Sequence, residues 1–101
     1  MKLIQVRAKS ARGSLLARLN RKERSMRDGG KTTWSKAGKY KLVHTTYYGW
    51  VNVYDTPDGF LFARVKSRRP DQEAMLFDAF VGYLTRHIGN RIDSMTVYYY
   101  R

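Results

Sequence analysis

The turn signal Thr-Pro-Asp-Gly at residues 56–59 constrains the fold of this chain more than any other feature. Proline suits the second position of a type I turn, and Gly59 supplies the left-handed residue of a G1 bulge. A three-residue loop of this kind pairs Thr56 with Phe60. The turn therefore predicts a β-hairpin with a fixed register, which also pairs Tyr54 with Phe62, Asn52 with Arg64 and Trp50 with Lys66.

This register sorts the hairpin side chains onto two chemically different faces, because successive strand residues point to opposite sides. One face is aliphatic and holds Val51, Val53, Leu61, Ala63 and Val65. The other is aromatic and basic and holds Trp50, Asn52, Tyr54, Phe60, Phe62, Arg64 and Lys66. A slip of one residue would mix the two sets, so the sorting itself supports the register.

A helix over residues 70–88 is predicted to cover the aliphatic face. Pro70 suits the first turn, and Asp71 and Glu73 complement the positive end of the helix dipole. Gly89 and Asn90 form a stop signal. The apolar stripe of this helix comprises Ala74, Phe77, Val81, Leu84 and Ile88, with Phe80 and Tyr83 beside it.

The N-terminal part is predicted to contain a short strand over Lys2–Lys9 and a basic helix over residues 11–27 with Ser10 as its N-cap. Residues 28–39 read as a mobile basic loop. Residues Tyr40–Tyr54 are predicted to form one long strand with a bulge or bend at Gly49. The helix has a narrow apolar seam of Ala11, Leu15, Leu16, Leu19 and Met26.

A closing strand over Ser94–Tyr100 completes the predicted order β-α-β-β-α-β. The expected fold is a single small α+β domain of 101 residues, with two helices on an antiparallel sheet. This order is that of ferredoxin-like domains. No apolar run approaches the length of a membrane helix, and the N-terminal residues are too mixed in character for a signal peptide.

The charge is large and unevenly placed. Twenty Lys and Arg residues oppose eight acids, which gives a net charge of +12. Residues 1–41 carry thirteen of these bases and two acids, hence +11, while residues 42–101 carry seven bases and six acids, hence +1. A basic segment on a near-neutral body predicts a polyanionic partner, and a basic face that only aids solubility is the simpler alternative.

The segment Asp58–Val65 resembles part of the RNA-recognition motif. That family carries Arg/Lys-Gly-Phe-Gly/Ala-Phe-Val-x-Phe here, and Gly59, Phe60 and Phe62 match it. Three residues depart from it, namely Asp58, Leu61 and Val65. The family's partner motif on the first strand needs an aromatic residue, which the segment Leu3–Val6 lacks. The resemblance implies bases stacked on an exposed sheet.

Aromatic residues interleaved with bases can stack unpaired nucleobases while the cations hold phosphates. The helix and loop bases would add phosphate contacts. The candidate nucleic-acid-binding residues are Arg12, Arg18, Arg21, Lys22, Arg24, Arg27, Lys31, Trp34, Trp50, Tyr54, Phe60, Phe62, Arg64 and Lys66. If the first helix covers the aromatic face, its rings are core instead, and a dimer interface on that face is a third possibility.

Catalytic and metal signals are sparse. The chain has no cysteine and only two histidines, His44 and His87, so a zinc site is not expected. It also lacks the glycine-rich phosphate loops and nucleophile motifs of common enzymes. We therefore expect a non-enzymatic protein without cofactors. Histidine, arginine, lysine and tyrosine suffice for metal-free RNA cleavage, which keeps a ribonuclease toxin as an alternative.

The leading hypothesis is a cytoplasmic protein that binds single-stranded nucleic acid or RNA. The rival is a phage-type inhibitor or modulator that docks on an acidic or nucleic-acid-binding surface of a host protein. A homodimer is compatible with both. Steep salt dependence of binding to generic oligonucleotides would distinguish the first from the second.

Overall fold

The computed structural model describes residues 1–10, 13–30 and 33–100 of the chain. They form an α+β fold with one six-stranded antiparallel sheet in the order β2-β3-β4-β5-β1-β6. A 3-10 turn, Gly89–Arg91, joins the second helix to the last strand. The elements in chain order are β1 (Lys2–Ala8), α1 (Leu15–Asp28), β2 (Trp34–Gly38), β3 (Lys41–His44), β4 (Trp50–Asp55), β5 (Phe60–Lys66), α2 (Pro70–Ile88) and β6 (Ile92–Tyr99).

The β4–β5 hairpin confirms the predicted turn and register. The Thr56 amide donates to the Phe60 carbonyl at 2.9 Å, and Gly59 has a φ of 92°. Trp50 pairs with Lys66, Asn52 with Arg64 and Tyr54 with Phe62. A three-residue Pro-Asp-Gly connection is therefore sufficient here to fix which side chains share a face.

The predicted number of strands is wrong by two, and the ferredoxin-like order is not matched. The observed order is β-α-β-β-β-β-α-β, because residues 34–44 form a further hairpin where a loop and the start of one long strand were expected. The four predicted strands, β4, β5, β1 and β6, lie next to one another, and the β2–β3 hairpin extends the sheet beyond β4.

Gly49 explains why residues 40–54 are two strands rather than one. The chain leaves the sheet after His44 and returns at Trp50. Gly49 has a φ of 135°, and a Cβ atom there would lie 2.4 Å from the Lys66 carbonyl oxygen. Only glycine fits both this backbone conformation and this close approach. The strand is therefore interrupted completely at Gly49, where only a bulge or bend was predicted.

Helix α1 begins four residues later than predicted. Its N-cap is Ser14, whose Oγ accepts from the Ala17 amide at 3.1 Å, so the assignment of Ser10 as the cap is wrong. Arg12, which was placed on this helix, lies outside the described residues. Of the predicted apolar seam, Leu15, Leu16 and Leu19 are buried and Met26 is partly buried, while Ala11 lies outside the described residues.

Helix α2 confirms its predicted bounds, with Pro70 in its first turn and the end at Ile88. Its buried stripe is rotated relative to the prediction. Phe77 and Val81 are only partly buried, and Ala74 is exposed. The residues that reach the core are Leu76, Phe80, Tyr83, Leu84 and Ile88. None of the described helices is long and apolar enough to cross a membrane.

Both helices pack on the same face of the sheet. The strand residues beneath them are buried and form the helix-covered face: Ile4, Val6, Leu42, Val51, Val53, Leu61, Ala63 and Val65. The helices pack into this one core, and the opposite face carries no helix. The alternative in which α1 turns the aromatic face into core is therefore wrong.

Candidate nucleic-acid interface

The uncovered side of the sheet, called the open face here, is built by alternation along all six strands. Direct antiparallel partners point to the same side, so the pairs given by the ladder define its members. They are Leu3, Gln5 and Arg7 on β1, Ser35 on β2, Lys41 and Val43 on β3, Trp50, Asn52 and Tyr54 on β4, Phe60, Phe62, Arg64 and Lys66 on β5, and Ser94, Thr96 and Tyr98 on β6.

Aromatic rings form the centre of the open face. Tyr54 is 44% exposed, and its ring centroid lies 5.6 Å from that of Tyr40, the residue that precedes β3. The rings of Phe60 and Phe62 lie 6.2 Å apart, with planes 27° from parallel. Tyr98 is also exposed at the far side. This group leaves aromatic surface available to a flat ligand.

Three cations among these rings, Lys41, Arg64 and Lys66, have no acidic partner among the described residues. The Lys41 ammonium lies 5.2 Å from the Trp50 ring centroid. Within residues 1–10, 13–30 and 33–100, no ion pair involves Lys41, Arg64 or Lys66. Among the described residues, strand pairing assigns no acid to the open face, but the carboxylate of Asp93, in the irregular part of the β1–β6 pair, lies 3.9 Å from the guanidinium of Arg7. The open face is consequently aromatic and cationic together.

Six of the predicted binding residues come together on this face: Trp50, Tyr54, Phe60, Phe62, Arg64 and Lys66. Lys41 and Tyr98 also lie on this face, and Tyr40 lies against it, although none of the three is among the candidate residues chosen from the sequence. Lys41 has the opposite parity to Trp50, so one continuous strand would place the two on opposite faces. The interruption at residues 45–49 changes that parity, and the sequence marked it only through Gly49.

The prediction that Trp34 stacks on nucleobases is wrong. This residue was placed in a mobile loop as a stacking residue, but it begins strand β2 and is 2% exposed. Its ring makes edge contacts with His44 at 4.9 Å and Phe80 at 5.4 Å. A large buried aromatic of this kind contributes to the core and is not accessible to a nucleobase.

The bases of α1 do not join the open face, because α1 belongs to the helix layer on the other side of the sheet. Arg18, Arg21 and Lys22 line a cavity between the two helices. Arg24 is exposed, and Arg27 lies 3.7 Å from the Glu23 carboxylate. Lys31 and Arg12 lie outside the described residues. The predicted residues therefore occupy two surfaces.

The two histidines lie on the helix side of the molecule. His44 Nδ1 accepts from the amides of Thr46 and Tyr47, at 3.0 and 3.2 Å. Burial lowers the pKa of His44 below its usual value. Among the described residues, no group of three or more His, Cys, Asp or Glu side chains could hold a metal ion.

Comparison of the chain with models of protein families found no match. Comparisons with curated proteins and with solved structures also found none. The resemblance to the RNA-recognition motif gains no support from them. In addition, β1 presents Leu3 and Gln5 on the open face, where that family would place an aromatic ring.

Proposed function

We propose that this protein binds single-stranded nucleic acid on its open face and that its role is non-enzymatic. The observation that supports this is an uncovered sheet face on which exposed aromatic rings lie among Lys41, Arg64 and Lys66, none of which pairs with an acid of the described residues. Rings of this kind stack nucleobases, and each stacked base contributes about 1–3 kcal/mol. The cations bind the phosphates between stacked bases.

A single strand fits this face better than a duplex. The faces of duplex bases are already covered by their neighbours, whereas unpaired bases can lie on an aromatic ring. Reading a major groove requires an inserted helix or a two-stranded ribbon, and a broad sheet is neither. We therefore expect fluorescence anisotropy to show tighter binding of a labelled single strand than of a duplex of the same length.

Salt dependence measures the contribution of the cations. Each phosphate contact changes the slope of log affinity against log salt by about 0.7 for a single strand. Arg64→Gln should therefore reduce the slope by about 0.7 relative to wild type. Arg68→Gln is the matched control, because Arg68 is an exposed loop residue that follows β5. Equal slopes for Arg64→Gln and wild type would contradict the proposal.

Stacking is tested with Tyr54→Ala. This change should weaken single-strand binding by about 1–3 kcal/mol. It should alter the free energy of unfolding by less than about 1 kcal/mol, because Tyr54 is 44% exposed. Tyr48→Ala is the control, since Tyr48 is 50% exposed but contacts Arg69 before α2 rather than the open face.

The same titrations distinguish the other two hypotheses. A protein inhibitor would show weak oligonucleotide binding that neither Tyr54→Ala nor Arg64→Gln changes, and its cytoplasmic host partner would have to be captured separately. A metal-free ribonuclease would cleave labelled RNA in the presence of a chelator. Either result would overturn the proposal of a non-enzymatic nucleic-acid-binding protein.

A further inference from the structure

A groove with a strong positive charge lies between α1 and the C-terminal end of α2, in the helix layer. Its larger part has a volume of about 390 Å³ and is lined by Arg18, Arg21, Lys22, His87 and Arg91, among others. A second cavity of about 270 Å³ adjoins it, adds Lys9, and shares Arg18, Asn90 and Arg91 with the first. We call this continuous feature the cationic groove.

Among the described residues, none of those that line the cationic groove is an acid. Within the described part of the chain, no ion pair involves Arg18, Arg21, Lys22 or Arg91. The acid of α1 nearest to them in sequence, Glu23, is buried and lies 3.7 Å from Arg27 instead. Several guanidinium and ammonium groups thus share one concave surface without an anion of the protein to neutralise them.

Helix stability does not account for this arrangement. Cations stabilise the C-terminal end of a helix and destabilise the N-terminal end. This effect accounts for Arg91, which follows the C-terminal end of α2. It does not account for Arg18, Arg21 and Lys22, because they lie before the last turn of α1, whose only basic residue is Arg27.

The positive potential in the cationic groove also acts on His87. Burial lowers the pKa of His87, and the charges of Arg86 and Lys22 lower it further. The imidazole ring also contacts Tyr83 at 4.8 Å between centroids. A neutral His87 at neutral pH leaves a ring nitrogen that can donate a hydrogen bond to an anion.

We propose that the cationic groove is a phosphate-binding site, separate from the open face. Guanidinium groups bind phosphate oxygens through paired N–H donors, and several unneutralised cations suit a multiply charged anion better than a single carboxylate. The volume of the larger part suits a small phosphorylated ligand. Phosphates of this chemistry occur in a nucleic-acid backbone and in a free polyphosphate.

The first experiment uses pyrophosphate as the probe on the full chain. In a two-dimensional NMR titration, the backbone amides of Asn90 and Arg91 should shift, while those of Tyr54 and Phe62 on the open face should not. The double variant Arg18→Gln/Arg91→Gln should weaken pyrophosphate binding by about tenfold or more. Arg24→Gln is the matched control, because Arg24 is an exposed residue of the same helix outside the groove.

An equal loss of affinity in Arg24→Gln would show that only net charge matters and would overturn the proposal, as would amide shifts spread over the whole surface. The spectrum of the double variant without pyrophosphate verifies that it is folded. If it is not, the single variant Arg21→Gln, which alters an exposed side chain, is used in its place.

The second experiment distinguishes the two sources of phosphate and separates this proposal from the proposed function. The variant Tyr54→Ala should keep the pyrophosphate affinity of wild type even if single-strand binding is lost. If the natural ligand is a nucleic-acid backbone, a short oligothymidylate should compete with pyrophosphate at low salt. If it is a free polyphosphate, the oligonucleotide should not compete. If pyrophosphate does not bind wild type at all, the proposed phosphate site in the cationic groove is refuted, and the proposed function of the open face is not affected.

Discussion

The two faces of the sheet are made from the same strands but have opposite chemistry. On β5, Leu61, Ala63 and Val65 are fully buried under the helices, while the alternate residues Phe60 and Phe62 remain partly accessible to solvent. The buried residues that β1, β4 and β5 contribute to the helix-covered face are all aliphatic, whereas the open face is rich in aromatic and cationic residues. The same hydrogen-bonded strands form both faces. The open face has no helix to pack against, so the fold itself does not require aromatic residues there.

This difference indicates which face is under a functional constraint. An aromatic residue at an exposed strand position gains little stability from burial, and threonine would serve the strand as well. Contiguous exposed apolar surface on a small protein usually marks a binding site. The cations among the rings of the open face also oppose self-association by like-charge repulsion, which favours an anionic ligand over a second copy.

The largest expected effect compares two neighbouring residues of β5. Leu61→Ala should lower the free energy of unfolding by about 2–5 kcal/mol, because it leaves a cavity beneath the helices. Phe62→Ala removes a larger side chain but should cost clearly less, because the ring lies on the open face. Urea denaturation of both variants measures the difference.

A cost for Phe62→Ala as large as that for Leu61→Ala would show that the open face is covered in solution. Self-association would be the natural cause, and sedimentation would then detect a dimer. This comparison requires that both variants have the same slope of the free energy of unfolding against urea concentration. A changed slope would mean that the unfolded states differ.

The hairpin and α2 were predictable because local signals are strong there. Pro57, Asp58 and Gly59 determine a turn without help from the rest of the chain, and Pro70 marks a helix start in the same way. The β2–β3 hairpin was not predictable. Its polar sequence of lysine, serine and glycine suggests a loop, and it forms a strand pair because Trp34 and Leu42 anchor it to the core.

Only part of the open face could be predicted, again because only some of its signals are local in sequence. The register of the turn grouped Trp50, Tyr54 and Phe62 correctly, and whether the face was open depended on which side α1 packs. Sequence does not show that, since the short seam of α1 fits either side. The sequence also does not predict that Arg91 and Arg18 line the same cavity. These residues are far apart in the chain and come together only through helix packing.

A pH dependence of stability is expected from the helix side alone. The pKa values of His44 and His87 are lowered from 6.5 in the folded protein, chiefly by burial. The unfolded chain therefore binds more protons than the folded one below about pH 6.5. The free energy of unfolding should be highest above that pH and should decrease as the pH falls, until the folded imidazoles also protonate.

The double variant His44→Asn/His87→Gln tests this assignment, because the amide oxygen of Asn can replace His44 Nδ1 as an acceptor. Its stability should change much less than that of wild type between pH 7.5 and 5.5 in urea denaturation. The open face holds no histidine, so it should contribute nothing over this interval. An undiminished pH dependence in the double variant would refute the assignment.

The smallest expected effect concerns two buried polar groups of the helix layer, one on α1 and one on α2. The Tyr83 hydroxyl and Glu23 Oε1 are both buried and, among the described residues, without a hydrogen-bond partner. Burial and the Glu23 carboxylate raise the pKa of Tyr83 to about 12, so the hydroxyl stays neutral.

A buried polar group without a partner is destabilising, and its removal leaves no other group unpaired. Tyr83→Phe should therefore leave the free energy of unfolding unchanged or raise it by up to about 1 kcal/mol. Tyr54→Phe is the matched control on the open face, where the lost hydroxyl is exposed and no change is expected. A clear loss of stability in Tyr83→Phe would contradict this expectation, because it would show that the Tyr83 hydroxyl is hydrogen-bonded in solution.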